Sequence, residues 1–396
     1  MSIEIGQQTC RNLTAARELE WLEANGLGGY ASGTVANCHT RKHHGWLVAS
    51  LDEPPGAYLL LSQFEDWIET PSERRCLVSH HYPGTVSPNG YTFLSAFRPR
   101  PMPTFVYDCG GRTVTRRILV PHRKNTVLVR YTASPGGPAV TLGFRPLLAY
   151  RHIHDVTRFN ETLNPESEEF PRGFRCTPYP GMPPLHVASN RKSRFEADPA
   201  WYWNALYPED EARGFEHRED LFSPGIVRVR LSAGHDVLVS VSTEAPQDDL
   251  QEQWNVEVER RRESQRVELR YRPEFPMPEE KALYESLWHA AEQLLICCPL
   301  SGPAVHAGYH WFGPWGRDTL IALPGLAFLT GRLETGAEIL RTAAGYERHG
   351  LLPNFIDPHG NRAYTAADPS LWFFWTVHQY LEAGGDMETV HRDFWP

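Results

Sequence analysis

The densest group of side chains able to do chemistry lies at residues 308–326, GYHWFGPWGRDTLIALPGL. His310, Trp311, Trp315, Arg317 and Asp318 stand there with Tyr309 and Phe312, in a Gly-rich loop that runs into an apolar, helix-periodic stretch. Loops carried on a rigid scaffold are where binding and catalytic groups concentrate. Arg317, next to Asp318, can keep that carboxylate ionised and fix its direction. A directed carboxylate can clamp two neighbouring sugar hydroxyls, and flat amphipathic rings can stack on the apolar face of a pyranose. Asp318 could equally serve as the N-cap of a helix starting at Thr319. The rings and Arg317 around it favour a ligand site.

A second group lies at residues 350–375, GLLPNFIDPHGNRAYTAADPSLWFFW. Asp368 and Pro369 precede an apolar run and read as the N-cap and first residue of a helix. Capping and catalysis are compatible. A carboxyl beside Trp372 and Phe373 is partly removed from water, which suits a proton donor to a glycosidic oxygen, although the helix dipole works against it. Asn354 and Tyr364 stand in the loop just ahead.

The elements that must position these groups change character along the chain. Runs such as YLLLSQFEDWIET, RTVTRRILVP, NTVLVRYTA and GIVRVRLSAGHDVLVSVST, bounded by turn residues, read as short strands of a sandwich. The segment at 247–278 is highly charged and reads as a partly helical linker closed by prolines. Beyond it EEKALYESLWHAAEQLLI, DTLIALPGLAFLT, LETGAEILRTAAGYERHG and DPSLWFFWTVHQYLEAG carry helical periods. The expected division is therefore a β-sandwich at 1–246, a linker at 247–278 and a helical domain from 279 to 396. Cys297 and Cys298 are expected as packed thiols within the first of these helices. The last helix is apolar almost all round in its first half and should have neighbours on most sides. Four helices give it few such neighbours, so the helical domain is expected to be unfinished at Pro396.

Composition narrows the partners. A formal charge of −9 without a Lys/Arg cluster argues against nucleic acid. No run of about 18 apolar residues is present to span a membrane, and the N-terminus lacks a basic start followed by an apolar stretch. Seven cysteines without CxxC spacing fit a reducing, cytoplasmic setting. Twelve Trp and sixteen Tyr suit a neutral sugar ligand, though rings also fill cores. Arg41, His43 and His44, and His152 and His154, could be metal ligands, but without a further Cys, Asp or His at a known spacing they read as surface or hydrogen-bonded histidines, so no metal and no other cofactor is expected. The glycines of NGLGGYASG read as tight turns, not a phosphate cradle.

WFGPWGRDTLIALPGL and YTAADPSLWFFW resemble two motifs of the glycogen debranching enzyme family, amylo-alpha-1,6-glucosidases of the microbial type. EWLEANGLGGYASGTVANCHTRKHHGWLVASL at 20–51 and WYWNALYPEDEARGFEHREDLFSPG at 201–225 resemble that family's N-terminal hallmarks, in the same order. The resemblance implies an N-terminal β-sandwich followed by an (α/α)6 toroid, here incomplete. It implies inverting hydrolysis of the α-1,6 glucosyl stubs of glycogen or another branched α-glucan, without a cofactor. By motif position Asp368 is the general acid. Asp318, Arg317 and Trp315 hold the terminal glucose, Trp311 and His310 stand close by, Tyr364 and Trp372 line the pocket, and Asn354 faces it. Pro369 departs from the small residue usual after that aspartate.

Inversion also needs a base, roughly 6.5–9.5 Å from the acid with water between them. In the family this is a glutamate late in the toroid, to which no residue here corresponds. The chain alone is therefore expected to hydrolyse little or nothing in water. The competing readings are a non-catalytic glucan-binding protein and a glucoamylase-like or trehalase-like hydrolase.

Overall fold

In Thr113–Leu119 alternate side chains are buried, which requires one face on a core and one towards solvent. Gly56–Glu69 is buried along most of its length, as a central strand of a broad sheet must be. The computed structural model describes residues 3–70, 73–136, 139–246, 249–271, 274–298, 302–357 and 359–394. Among these, most strands pair antiparallel into one sheet of nine and one of eight, and the others form two-stranded pairs. Trp46, Phe64 and Phe144 of the eight-stranded sheet share a core with Phe105, Val129 and Phe174 from the nine-stranded one. The predicted β-rich first region with a sandwich core is thus observed.

A charged pair also joins the two sheets. Arg116 is fully buried, and its Nη1 donates to Asp66 Oδ2 at 2.7 Å. The same oxygen accepts the Tyr131 hydroxyl at 2.7 Å. Pairing of this kind offsets the cost of taking both charges out of water.

Two compact units divide the chain: Ser2–Asn25 with Gly29–Val258, and Glu259–Pro396 with Gly26–Gly28. Much of the charged segment forms a long helix, α1 (Leu250–Tyr271). Of the segment assigned as linker, residues 247–248 and 272–273 lie outside the described residues. Within the first unit, Leu250 and Trp254 of α1 pack against Met102, Leu119, Leu128 and Leu238. The guanidinium of Arg130 lies 4.2 Å from the centre of the Trp254 ring.

The second unit is built on α2 (Pro278–Leu294), α3 (Gly316–Leu323), α4 (Leu333–Ala344) and α5 (Asp368–Glu382). Leu320, Leu323, Phe328, Ile339, Leu340, Phe373 and Tyr380 form its core. α3 changes pitch at Pro324. The proline has no N–H to continue the ladder, and the Leu329 N–H reaches back five residues to the Pro324 carbonyl at 3.0 Å. One expectation is corrected. Cys297 and Cys298 are not helical: α2 ends at Leu294, and Leu295–Cys298 pairs as a strand with Gly302–Val305. A short apolar run does not by itself distinguish strand from helix. The apolar start of α5 has few neighbours, as expected from so few helices: Leu371 and Phe374 are exposed while Phe373, Thr376 and Tyr380 face the core.

Candidate functional site

α3 begins immediately after Trp315, which is extended (φ −126°, ψ 135°), so Gly316, Arg317 and Asp318 form its first turn. Asp318 is therefore not the N-cap, and neither is Asp368. Ala367 caps α5, with Asp368 and Pro369 as its first two residues, and neither aspartate makes a side-chain capping bond there. Both carboxylates stand in the first turn of a helix, where the dipole favours negative charge.

The two motifs are tied by their backbones. The Gly316 N–H donates to the Asn354 carbonyl at 2.9 Å, and the Arg317 N–H to Asn354 Oδ1 at 3.1 Å. Asn354 thus satisfies two free donors at the start of α3. This close approach explains the glycine, because a Cβ on Gly316 would lie 2.2 Å from the Pro353 carbonyl oxygen. Trp315 packs on Phe355 with ring centres 5.1 Å apart. On the far side of the loop, Ser370 Oγ accepts the Leu352 N–H at 2.9 Å and fastens the same segment to α5. Thr376 Oγ1 donates to the Leu320 carbonyl at 2.8 Å, joining α5 to α3.

On this frame Arg317 reaches across to α5, and its Nη1 lies 3.1 Å from Asp368 Oδ2. The carboxylate held by Arg317 is therefore Asp368 and not its sequence neighbour Asp318, a correction to the expected arrangement. Both partners are accessible, with side chains 43% and 40% exposed. The structure thus brings together Trp315, Arg317, Asn354 and Asp368, with Asp318 one residue along α3. Tyr364 is engaged elsewhere, its hydroxyl donating to the Tyr346 carbonyl at 2.8 Å. Trp372 packs edge-on against Trp375 with centres 5.4 Å apart. His310 and Trp311 pack edge to face, 5.8 Å apart. A largely apolar cavity behind the loop is lined by Trp315, Gly316, Tyr346 and Pro353, and a second, of about 280 Å³, by Phe373, Phe374 and Phe394. Arg317, Asp318 and Asp368 line neither of these two cavities.

Gly316, Ser370 and His306 escaped the sequence reading. Gly316 had a signal in its place between a Trp and the Arg-Asp pair. Ser370 and His306 had none, because their partners are distant in sequence. His306 stacks on Tyr309 with centres 3.7 Å apart, and its Nδ1 accepts the Gly308 N–H at 3.3 Å, so it supports the loop that leads to α3. Burial pushes its pKa from the ordinary 6.5 down to about 4. The unfolded chain takes up this proton more readily than the folded one. Stability is therefore expected to fall as pH drops from 6.5 towards 4, and to level off below that. Urea unfolding at pH 7, 5.5 and 4.5 checks this, and His306→Gln should make the change smaller, the remainder coming from other buried histidines such as His80, whose pKa burial also lowers to about 4.

In the first unit, His43 Nε2 lies 3.2 Å from His154 Nδ1, and His44 Nε2 lies 3.4 Å from Glu20. Among the described residues no group of three or more His, Cys, Asp or Glu side chains is placed to hold a metal ion.

Residues 19–238 match the family described as "Glycogen debranching enzyme N terminal", and residues 289–396 match "Amylo-alpha-1,6-glucosidase". The chain belongs to the glycogen debranching enzyme family. The segment carrying Trp315, Arg317, Asn354 and Asp368 falls wholly within the second match. A glycogen debranching enzyme of Saccharomyces cerevisiae is 32% identical over 88 residues, which is 22% of this chain and 6% of that protein. The chain thus spans a small part of this family relative's length. Among solved structures, a bacterial glucoamylase complexed with acarbose aligns at 10% identity with a TM-score of 0.46, covering 96% of this chain and 57% of that one. The heparan sulfate lyase HepC of Pedobacter heparinus aligns at 16% identity and a TM-score of 0.26, over 43% and 22%. No helix of the described residues is long and apolar enough to cross a membrane.

Proposed function

We propose that this chain carries the proton donor and the glucose clamp of an amylo-alpha-1,6-glucosidase, acting with inversion on single-glucose α-1,6 stubs of glycogen or a related branched glucan in the cytoplasm. In this reading residues 279–396 are the opening part of an (α/α)6 toroid, 1–246 are its companion sandwich, and 247–278 join them. The observation that carries it is the Arg317–Asp368 pair, which joins the two family motifs at one accessible place. Asp318 accepts hydrogen bonds from two hydroxyls of the terminal glucose, Trp315 offers a ring face, and Asp368 protonates the departing glycosidic oxygen. Arg317 occupies Asp368 Oδ2. The incoming glucan therefore takes over Arg317, whose exposure allows it to turn, and Asp368 is freed to act.

Calorimetric titration with a branched limit dextrin tests the clamp. Asp318→Asn is expected to weaken binding about tenfold or more, the scale of a hydrogen bond to a charged group. Unchanged affinity in a variant with an unchanged melting temperature refutes the clamp.

A further inference from the structure

The second N-terminal hallmark, residues 201–225, contributes nothing to the site just described, yet it builds a distinct surface on the sandwich unit. Trp203 and Phe159 are 52% and 47% exposed, and Trp201 lies half-buried between them and the core residue Phe222. Ring centres are 5.2 Å apart for Phe159 and Trp203, 5.4 Å for Phe159 and Trp201, and 6.3 Å for Trp201 and Trp203. The two tryptophan planes differ by only 36°, so they form one tilted ledge. Clustered exposed rings of this size signal an interaction surface.

The ledge is held from beneath by buried acids. One carboxylate of Asp220 accepts the Phe159 N–H at 3.0 Å and the Asn204 N–H at 2.8 Å, and so fixes the backbone on both sides of the patch. Asn204 takes φ +59° at an irregularity of the strand Ser193–Leu206, between Tyr202 and Ala205. Such bulges redirect side chains outwards. Next to Asp220, the fully buried Glu219 accepts from Arg151 Nε at 2.6 Å, the Tyr207 hydroxyl and the Thr157 N–H at 2.9 Å. Arg151 in turn donates to the Lys42 carbonyl at 2.6 Å, which brings in the first hallmark. The rings are thus rigidly placed, which lowers the entropy cost of binding.

We infer that Phe159, Trp201 and Trp203 form a second glucan-binding surface, on which pyranose rings of an α-glucan stack while the exposed Asn204 offers its amide to hydroxyls at the rim. The inference rests on the glucan reading above and adds a site that the cleavage chemistry does not require. Ser193–Leu206 is the edge of the eight-stranded sheet, so a second copy of the chain is the obvious rival occupant. Its pairing register breaks twice, and Pro199 within it has no N–H to offer. Both features obstruct edge-to-edge pairing. The patch combines flat rings with the neutral amide of Asn204, which suits the apolar faces and hydroxyls of an uncharged polyol.

The test uses the full chain with soluble glycogen and with maltoheptaose, read by affinity electrophoresis and calorimetry beside sedimentation velocity. Phe159→Ala/Trp203→Ala is expected to raise the dissociation constant for glycogen about tenfold or more, with an unchanged melting temperature because both rings are exposed. Trp203→Tyr, which keeps a stacking face, should recover most of that affinity. If the double variant binds like the unsubstituted chain while Asp318→Asn binds poorly, the ledge is overturned and the clamp stands. If ring loss abolishes self-association and leaves glycogen affinity unchanged, the face belongs to a second copy and the inference is wrong. If the unsubstituted chain binds limit dextrin but neither glycogen nor maltoheptaose, the ledge falls and the clamp stands; if it binds none of the three, both fall.

Discussion

Replacing Asp368 with Asn is expected to lower azide-dependent cleavage of a branched limit dextrin by roughly 10²–10⁴-fold while leaving dextrin affinity within about threefold, the usual scale for losing a general acid without losing binding contacts. Asn keeps the size of the side chain and can still accept a hydrogen bond from Arg317, so the frame between α3 and α5 should survive. What it cannot do is hand a proton to the leaving oxygen. The assay is best run with sodium azide. Azide attacks the anomeric carbon without losing a proton, so the measured rate depends on the donor and not on a water-activating base. Glucosyl azide formed by the unsubstituted chain and lost in the variant assigns the proton to Asp368. Equal rates in both remove Asp368 from the chemistry.

Gly316→Ala is expected to damage the site more than any other single-methyl change in the loop. The added Cβ would meet a backbone oxygen, Pro353 O, at 2.2 Å, and a backbone atom cannot swing aside as a flexible side chain can. Overpacking of this kind costs about 1–3 kcal/mol. Relief requires the Asn354 segment to draw back from the start of α3. That breaks the bonds from Gly316 N–H and Arg317 N–H together, and moves Arg317 away from Asp368. Thermal unfolding should show the lost stability, and limit-dextrin affinity should fall about tenfold or more. Gly313→Ala is the control: nothing lies within 4 Å of a Cβ there, so both properties should be nearly unchanged.

The sequence made the change of architecture readable. Strand periods before residue 247 and helical periods after 278 correspond to two sheets and then four packed helices, because burial on one face imposes its period on any chain. It also located the two motifs that the structure joins. It did not reveal which carboxylate Arg317 holds. Consecutive residues of a helix point about 100° apart, so Arg317 and Asp318 diverge once both lie in the first turn of α3, and Arg317 finds a partner 51 residues away. The capping positions were misread for a related reason. Each helix begins earlier than its aspartate suggests, α3 after the extended Trp315 and α5 after Ala367. Tyr364 and Trp372 were placed by motif alone, and nothing in local sequence shows that the Tyr364 hydroxyl is used by the Tyr346 carbonyl. The ledge of Phe159, Trp201 and Trp203 was equally hidden, since it needs the bulge at Asn204 and a buried Asp220 to assemble.

The central claim is that Asp318 and the Arg317–Asp368 pair meet one glucose unit and the bond that leaves it. A crystal structure of the chain with a dextrin bearing a single α-1,6 glucose stub tests this most directly. The account predicts the stub with two hydroxyls on the Asp318 carboxylate, Arg317 turned onto the sugar, and Asp368 within hydrogen-bonding reach of the glycosidic oxygen. A stub bound with Asp318 facing solvent and Arg317 still closed on Asp368 contradicts it.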